Sequence, residues 1–172
     1  MSLNWKNDPD LSSKSDMDYL QDLIESLTSM LHSNPEDTTL LFKRGNAYLD
    51  KGVYQEAISD YSSILAVNPE DPISLNNRGI CYRCIADPEN AIRDFNDAIC
   101  IDPLYRDAYN NRGMALSDIE DYSNAVDDFT KAIAIDSQYW YAYNNRGMAL
   151  WALGNKDAAV ADYNMLRALI GS

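Results

Sequence analysis

The chain is poor in the residue types that most enzymes and metal centres use. Its 172 residues include a single histidine, His32, and only three cysteines. Because no catalytic triad can be assembled around one histidine, we predict a protein that is not an enzyme and needs no cofactor. An odd and small number of cysteines is also too few for a disulfide scaffold, which indicates a reducing compartment.

The cysteines show no spacing that favours a metal ion. Cys81 and Cys84 form one Cys-x-x-Cys without a second pair, and Cys100 lies on a different predicted helix. Structural zinc sites take four ligands, which two such pairs commonly supply. Burial of small apolar side chains is therefore favoured over zinc binding.

Basic residues are scarce as well. The chain has 14 Lys and Arg against 27 Asp and Glu, a net charge of -13. Binding to phosphates needs clustered cations, so this balance argues against nucleic acid and against anionic membranes as partners. The acidity is uneven, since residues 1–37 hold eight acidic residues and two lysines.

Long apolar runs are absent. The chain has no stretch of about 18 apolar residues, the length that could span a membrane. Its first ten residues also lack the charged and then apolar pattern of a secretory signal. Hydrophobic residues still make up 46% of the chain, enough for a core in one cooperative unit. We therefore expect a cytoplasmic protein with no membrane partner.

Glycine and proline number only seven and six, yet many of them recur at one interval. Spacings of 34 residues relate Gly45, Gly79, Gly113 and Gly147, and also Pro35, Pro69 and Pro103. The same interval relates four further sets: Arg44, Arg78, Arg112 and Arg146; Ala57, Ala91, Ala125 and Ala159; Asp60, Asp94, Asp128 and Asp162; and the aromatic residues Tyr61, Phe95, Phe129 and Tyr163. A fixed period of this length indicates a repeat architecture.

Each recurring residue type has a physical role in a pair of helices. The glycine and alanine sets let two helices approach closely, and the aromatic set fills the groove that remains. Gly52 and Gly154 favour a left-handed turn between the helices. Pro69 and Pro103 end the second helix, where Ser137 is a weaker stop.

We number each repeat of 34 residues from a first position that is Thr38 in the first repeat, and call this numbering the frame. With small residues at frame positions 8 and 20, an aromatic residue at 24 and proline at 32, the sequence resembles the tetratricopeptide repeat family over residues 38–172. The resemblance implies an all-α fold, a right-handed α-solenoid of antiparallel helix pairs. Four repeats are expected, at 38–71, 72–105, 106–139 and 140–172.

The two ends depart from the repeat. Residues 1–14 are predicted to form a flexible acidic arm, and residues 15–37 a capping helix whose start is Ser15 or Asp16. No separate capping helix follows the fourth repeat, so the apolar segment from Met165 to Ile170 is predicted to be uncovered. Either the sequence is part of a longer protein, or that face pairs with another copy, giving a homo-oligomer, or with the acidic arm.

The arginine and aspartate sets fall at positions 7 and 23 of the frame, which an antiparallel hairpin brings together. Half-buried guanidinium groups need carboxylate partners. A ladder of Arg–Asp pairs inside the stack is therefore predicted, with a structural role.

The resemblance also implies that side chains of the first helix of each repeat line a concave groove that binds a peptide. Carried onto this chain, the peptide-binding candidates are Lys43, Asn46, Asn76, Asn77, Ile80, Asn110, Asn111, Met114, Tyr141, Asn144, Asn145, Met148 and Trp151. Asparagine amides could bind a peptide backbone, or they could tie neighbouring helices together. The methionines offer adaptable apolar contact, and Tyr141 and Trp151 form a possible aromatic anchor, whereas Trp140 and Tyr143 are read as packing residues.

The sequence thus favours a non-enzymatic scaffold that binds a protein or peptide partner. Some family members hold the acidic tail of heat-shock chaperones in a carboxylate clamp, but here the clamp positions are Phe42, Asn46, Asn77, Asp107 and Asn111, without the three cations. Two alternatives stay open: a chaperone similar to those that hold type III secretion translocators, and a self-associating structural module.

Overall fold

The computed structural model describes residues 16–171, so the predicted acidic arm and Ser15 lie outside the described residues. This range folds into nine helices without a strand: α1 (Asp16–Ser33), α2 (Thr38–Lys51), α3 (Tyr54–Val67), α4 (Pro72–Cys84), α5 (Pro88–Ile101), α6 (Arg106–Asp118), α7 (Tyr122–Ile135), α8 (Trp140–Ala152) and α9 (Lys156–Ile170). The all-α prediction is confirmed. Among these nine, no helix has both the length and the apolar composition needed to cross a membrane.

The helices stack as consecutive hairpins. We call α2, α4, α6 and α8 the A helices and α3, α5, α7 and α9 the B helices; each A helix packs on the B helix after it, and each B helix on the next A helix. One A–B pair lies inside each of the four predicted repeat frames, and α1 packs on α2 as a preceding B helix would. The chain is therefore a helical solenoid.

The stack curves toward its A helices. Neighbouring A helices approach one another to within 8 Å between Cα atoms, α2 with α4, α4 with α6 and α6 with α8, whereas no two B helices do so among the described residues. Because equal hairpins closer together on one side must bend toward that side, the A helices line the inner surface. We call this the A-helix surface.

Aspartate and proline set where several helices begin. The Asp37 carboxylate accepts hydrogen bonds from the backbone N–H groups of Thr39 and Leu40, at 3.0 and 3.1 Å. Asp71 caps α4 in the same way, and Pro72 occupies the first turn of that helix. A side-chain acceptor satisfies N–H groups that have no partner inside the helix, and proline loses nothing there.

The turn from A to B helix has one left-handed residue in every repeat. Gly52 and Gly154 have φ of 78° and 81°, as predicted, but Ala86 and Glu120 occupy the equivalent places with φ of 59° and 63°. In each turn the N–H of the following residue bonds to a carbonyl of the A helix, for example Asp121 to Leu116 at 2.9 Å. The hydrogen-bonded turn thus imposes a conformation that alanine and glutamate adopt at a cost.

Glu120→Gly is expected to raise the free energy of unfolding by about 0.5–1 kcal/mol. The left-handed conformation costs an L-residue about 1–2 kcal/mol, and the greater entropy of unfolded glycine cancels part of that gain. Urea unfolding followed by circular dichroism measures the change. Gly154→Ala is the matched control, since no atom lies within 4 Å of the added Cβ, and it should lower the free energy of unfolding by a similar amount. If both variants were as stable as the wild type, the left-handed conformation would not be strained.

Small residues bring each A helix against its own B helix. A Cβ atom added at Gly113 would lie 2.6 Å from Cε1 of Phe129, and one at Gly79 would lie 2.7 Å from Cε1 of Phe95. Both rings are buried, and the recurring alanines of the B helices are fully buried. The 34-residue pattern of small and aromatic residues is therefore the core of the stack.

The predicted Arg–Asp pairs are present in all four repeats. Arg78 donates through Nε and Nη2 to the two carboxylate oxygens of Asp94, at 2.7 and 2.8 Å, and the other three pairs have the same geometry. The carboxylates are buried. The hydrogen bonds that the guanidinium groups donate to the aspartates raise the pKa of all four arginines, so each stays charged.

Each of these arginines also reaches the preceding hairpin. Nη1 of Arg78 donates to the Ser62 hydroxyl of α3 at 3.1 Å. The equivalent bonds run from Arg44 to Thr28 in α1, from Arg112 to Asn96 and from Arg146 to Thr130. One guanidinium group per repeat therefore joins its own hairpin internally and joins that hairpin to the one before it.

Candidate peptide-binding surface

Asparagine pairs connect the A helices across the inner surface. Nδ2 of Asn111 in α6 donates to Oδ1 of Asn76 in α4 at 2.9 Å, and Nδ2 of Asn145 in α8 donates to Oδ1 of Asn110 at 3.0 Å. Asn76 and Asn110 are each only 4% exposed. Their amides are engaged in tying neighbouring helices together, which is one of the two roles predicted for them.

The A helices of the first and second repeats, α2 and α4, are tied together by a different hydrogen bond. Phe42 stands where the later repeats have Asn76, Asn110 and Asn144, so Asn77 has no asparagine in that place to donate to. It donates instead to Oδ1 of Asn46, at 3.2 Å, and the same oxygen accepts the Tyr61 hydroxyl at 2.6 Å. The first repeat therefore keeps a polar tie but offers a ring where the others offer an amide.

The other predicted residues differ in how far they reach solvent. Met148 is the most exposed of the apolar and aromatic ones, with 60% of its surface exposed, and Tyr141, Trp151 and Lys43 are also exposed. Ile80 and Met114 are half-buried, as is Asn144. The accessible part of the candidate set is thus mainly apolar and aromatic.

A cavity of about 400 Å³ opens where the A helices of the second, third and fourth repeats meet. We call it the methionine cavity; it is lined by Arg83, Met114, Ser117, Asp118, Tyr122, Phe129, Asn145, Met148, Ala149 and Ala152. Three of these, Met114, Asn145 and Met148, are predicted site residues. The structure therefore brings those three to one concave place, whereas the other candidates line different parts of the surface.

An ion pair forms one wall of the methionine cavity. Nε of Arg83 in α4 lies 2.5 Å from Oδ2 of Asp118 in α6. The sequence prediction missed both residues, and it missed Ser117 and Tyr122. Arg83, Ser117 and Asp118 lie on the A helices, whose side chains the family resemblance already implies for the groove, so that signal was available.

Family comparisons agree with this architecture. Sequence models described as tetratricopeptide repeat match residues 42–108, 107–139 and 141–164. The chain belongs to the tetratricopeptide repeat family. No curated protein matches the sequence of this tetratricopeptide protein.

Solved structures with the same fold include MamA from Desulfovibrio magneticus RS-1, with 17% identity, 87% of this chain and 85% of that chain covered, and a TM-score of 0.80. YrrB, described as a tetratricopeptide protein with an unusual peptide-binding site, has 19% identity, coverage of 92% and 80%, and a TM-score of 0.71. The first tetratricopeptide domain of Spaghetti (RPAP3), bound to the HSP90 peptide SRMEEVD, has 26% identity, coverage of 68% and 93%, and a TM-score of 0.66.

The two candidate aromatic anchors of this tetratricopeptide protein lie outside the methionine cavity. Tyr141 stacks on Trp140 with ring centroids 3.5 Å apart, and Trp151 lies under the Lys156 ammonium group, 5.4 Å from the ring centroid. Of the two residues read as packing, Tyr143 is buried but Trp140 is exposed. The aromatic surface is therefore wider than Tyr141 and Trp151 alone.

The cysteines divide by exposure. Cys81 is fully buried at the place where the other repeats have Ala47, Ala115 and Ala149, whereas Cys84 and Cys100 are exposed. Within residues 16–171, no group of three or more His, Cys, Asp or Glu side chains could hold a metal ion. Burial raises the pKa of the Cys81 thiol to about 12.

A chromogenic thiol reagent is therefore expected to modify two cysteines in the native protein near pH 8 and all three after denaturation. The thiolate is the reactive form, and at that pH a thiol with a pKa of about 12 is almost entirely protonated, besides being out of contact with solvent. Cys81→Ala, which restores the residue of the other repeats, should leave the native count at two. Rapid reaction of three thiols in the folded protein would show that Cys81 is accessible.

Proposed function

We propose that this protein is a scaffold that binds a segment of a partner protein on its A-helix surface, with the methionine cavity as the principal contact. The observation that carries the proposal is the cavity itself, a concave site of about 400 Å³ where three successive A helices converge. Binding sites are typically concave and mostly apolar, with a few polar groups that fix orientation.

The lining supports this role chemically. Met114 and Met148 are flexible and polarisable, so they can adapt to different apolar side chains. Asn145 and Ser117 supply polar groups at the margin. Alanine at 149 and 152 keeps the cavity open, because a larger side chain at either place would fill it.

The peptide-bound relative suggests the mode of binding but not the same ligand. RPAP3 holds a peptide that ends in acidic residues, whereas the places of the family's carboxylate clamp here lack its cations. Two of those places, Asn46 and Asn77, are bonded to each other at 3.2 Å. The proposal is therefore a protein-binding scaffold that does not use an acidic-tail clamp.

Affinity capture from a cell lysate with the Met114→Gln/Met148→Gln double variant tests this proposal. Glutamine is close to methionine in size but places an amide in an apolar contact, so proteins retained by the wild type should fall by about tenfold or more. The matched control is Met17→Gln/Met30→Gln, since both residues are exposed and lie on α1. Equal recovery by both variants and the wild type would remove the cavity from the function.

Self-association is a second candidate because α9 exposes apolar side chains. Val160, Met165 and Ile170 are exposed, whereas Ile58, the counterpart of Val160 in the first repeat, is buried. Multi-angle light scattering over a wide concentration range tests this candidate. A dimer that Val160→Lys dissociates would support it, and a monomer at every concentration would exclude it.

A further inference from the structure

The turns between the A and B helices of repeats two to four lie next to the methionine cavity. Asp118 and Tyr122, on the two sides of the turn in repeat three, both line the cavity. Arg83, near the end of α4, and Ala152, at the end of α8, line it as well.

The same three turns are strongly acidic. Residues 83–90, 117–124 and 151–158 contain six carboxylates, at Asp87, Glu89, Asp118, Glu120, Asp121 and Asp157, against two cations, Arg83 and Lys156. Arg83 is paired with Asp118, and Lys156 lies over Trp151. Both cations are thus already engaged within the protein, and Glu89, Glu120 and Asp157 are exposed to solvent.

The interior of the cavity is different, because it carries no net charge. Its only charged lining residues are Arg83 and Asp118, which neutralise each other. An apolar, uncharged centre beside an acidic margin is complementary to a segment with apolar residues on one side and Lys or Arg on the other. A ligand with carboxylates at its margin would meet like charge.

The asparagine pairs favour a helical segment over an extended one. An extended peptide needs partners for its backbone N–H and C=O groups, but the Asn76 and Asn110 amides in the floor are buried and bonded to Asn111 and Asn145. A helix satisfies its backbone internally and presents only side chains to a groove. The inner surface therefore suits a helix better than a strand.

We infer that the partner segment is a basic amphipathic helix, with an apolar side chain in the methionine cavity and Lys or Arg residues facing the carboxylates of the turns. This inference rests on the proposed function, because it specifies what the same surface binds.

Three fluorescent probe peptides of about 18 residues, roughly five helical turns, test the inference. The first has leucine along one helical face and lysine on the other, the second replaces every lysine with glutamate, and the third has the composition of the first in scrambled order. Fluorescence anisotropy with the full chain should show the first peptide binding at least about tenfold more tightly than either of the others. Its circular dichroism should gain helix on binding, and raised ionic strength should weaken it.

Variants of the protein connect this binding to the surface. Met114→Gln/Met148→Gln should weaken the first peptide by about tenfold, and Met17→Gln/Met30→Gln should not change it. Glu120→Gln/Asp157→Asn should weaken it severalfold, whereas Glu36→Gln/Glu56→Gln, which removes two exposed charges far along the chain, should have little effect. Equal binding of the lysine and glutamate peptides, binding without a gain of helix, or binding unaffected by the cavity variant would each overturn the inference.

These outcomes separate the two proposals. If lysate proteins are captured in a manner that depends on Met114 and Met148 while the lysine peptide shows no preference, the scaffold function stands and the basic helix is wrong. If capture does not depend on the two methionines, the proposed function itself fails, whatever the peptides do.

Discussion

Arg78→Met is expected to lower the free energy of unfolding by about 3–5 kcal/mol, because it leaves the Asp94 carboxylate buried without its cation. Asp94 is 3% exposed and receives both of its side-chain hydrogen bonds from Arg78, at 2.7 and 2.8 Å. The substitution also removes the bond to Ser62 in the preceding hairpin. Chemical denaturation followed by circular dichroism measures the loss.

The double variant Arg78→Met/Asp94→Leu separates the pair from its surroundings. Replacing both members of a buried ion pair with apolar residues is often nearly neutral, so the double variant should recover most of the stability that the single variant loses. Arg83→Met, which breaks the more exposed pair with Asp118, is expected to cost about 1 kcal/mol or less. An equally small cost for Arg78→Met would mean that the ladder behaves as surface charge.

Gly79→Val is expected to cost about 3 kcal/mol, the upper end of the range for overpacking. Any Cβ at this position would lie within 2.7 to 3.0 Å of three carbon atoms of the Phe95 ring. That ring is fully buried, packs with Ala91 and Ala115, and does not line the methionine cavity, so it cannot move without displacing its neighbours. The shift of the thermal midpoint, measured beside the wild type, checks the effect.

Gly147→Val is the matched comparison in the fourth repeat. There the Cβ would approach the ring of Tyr163, at 2.9 Å, but this ring is half-buried and can tilt toward solvent. We expect a cost of about 1 kcal/mol, since part of the strain is relieved. Equal losses at Gly79 and Gly147 would show that the backbone, rather than the enclosed ring, sets the penalty.

The fold was largely predictable because its determinants are local and repeated four times. Glycine against a ring, alanine on the facing helix and arginine opposite aspartate recur at one interval, so a single hairpin that satisfies one copy satisfies all. The left-handed turns were only half predicted. Glycine at 52 and 154 indicates a left-handed turn by its residue type. Ala86 and Glu120 adopt the same conformation because of the hydrogen bonds of the turn, and the local preferences of alanine and glutamate do not predict it.

The candidate site was less predictable because it depends on which polar groups are already engaged. A row of asparagines in the sequence is compatible both with ligand binding and with helix ties, and only the distances between helices assign Asn76 and Asn110 to the ties. The methionine cavity is formed by side chains of four helices from three repeats. Its volume depends on small side chains such as those of Ala149 and Ala152, which line the same space as Met114 and Tyr122. The position of a residue in its repeat does not reveal which residues of other repeats share that space.

The arginine that reaches back to the preceding hairpin makes the junctions interchangeable. Its acceptor is a hydroxyl or an amide oxygen on Thr28, Ser62, Asn96 or Thr130, and each of these side chains accepts the same N–H group. Deleting the second repeat, residues 72–105, would place Arg112 against Ser62 in place of Asn96. The arginine would then still have a hydrogen-bond acceptor in the preceding hairpin. Duplication or loss of a repeat could thus lengthen or shorten the inner surface in whole units, while the arginine hydrogen bond is kept at every boundary between hairpins.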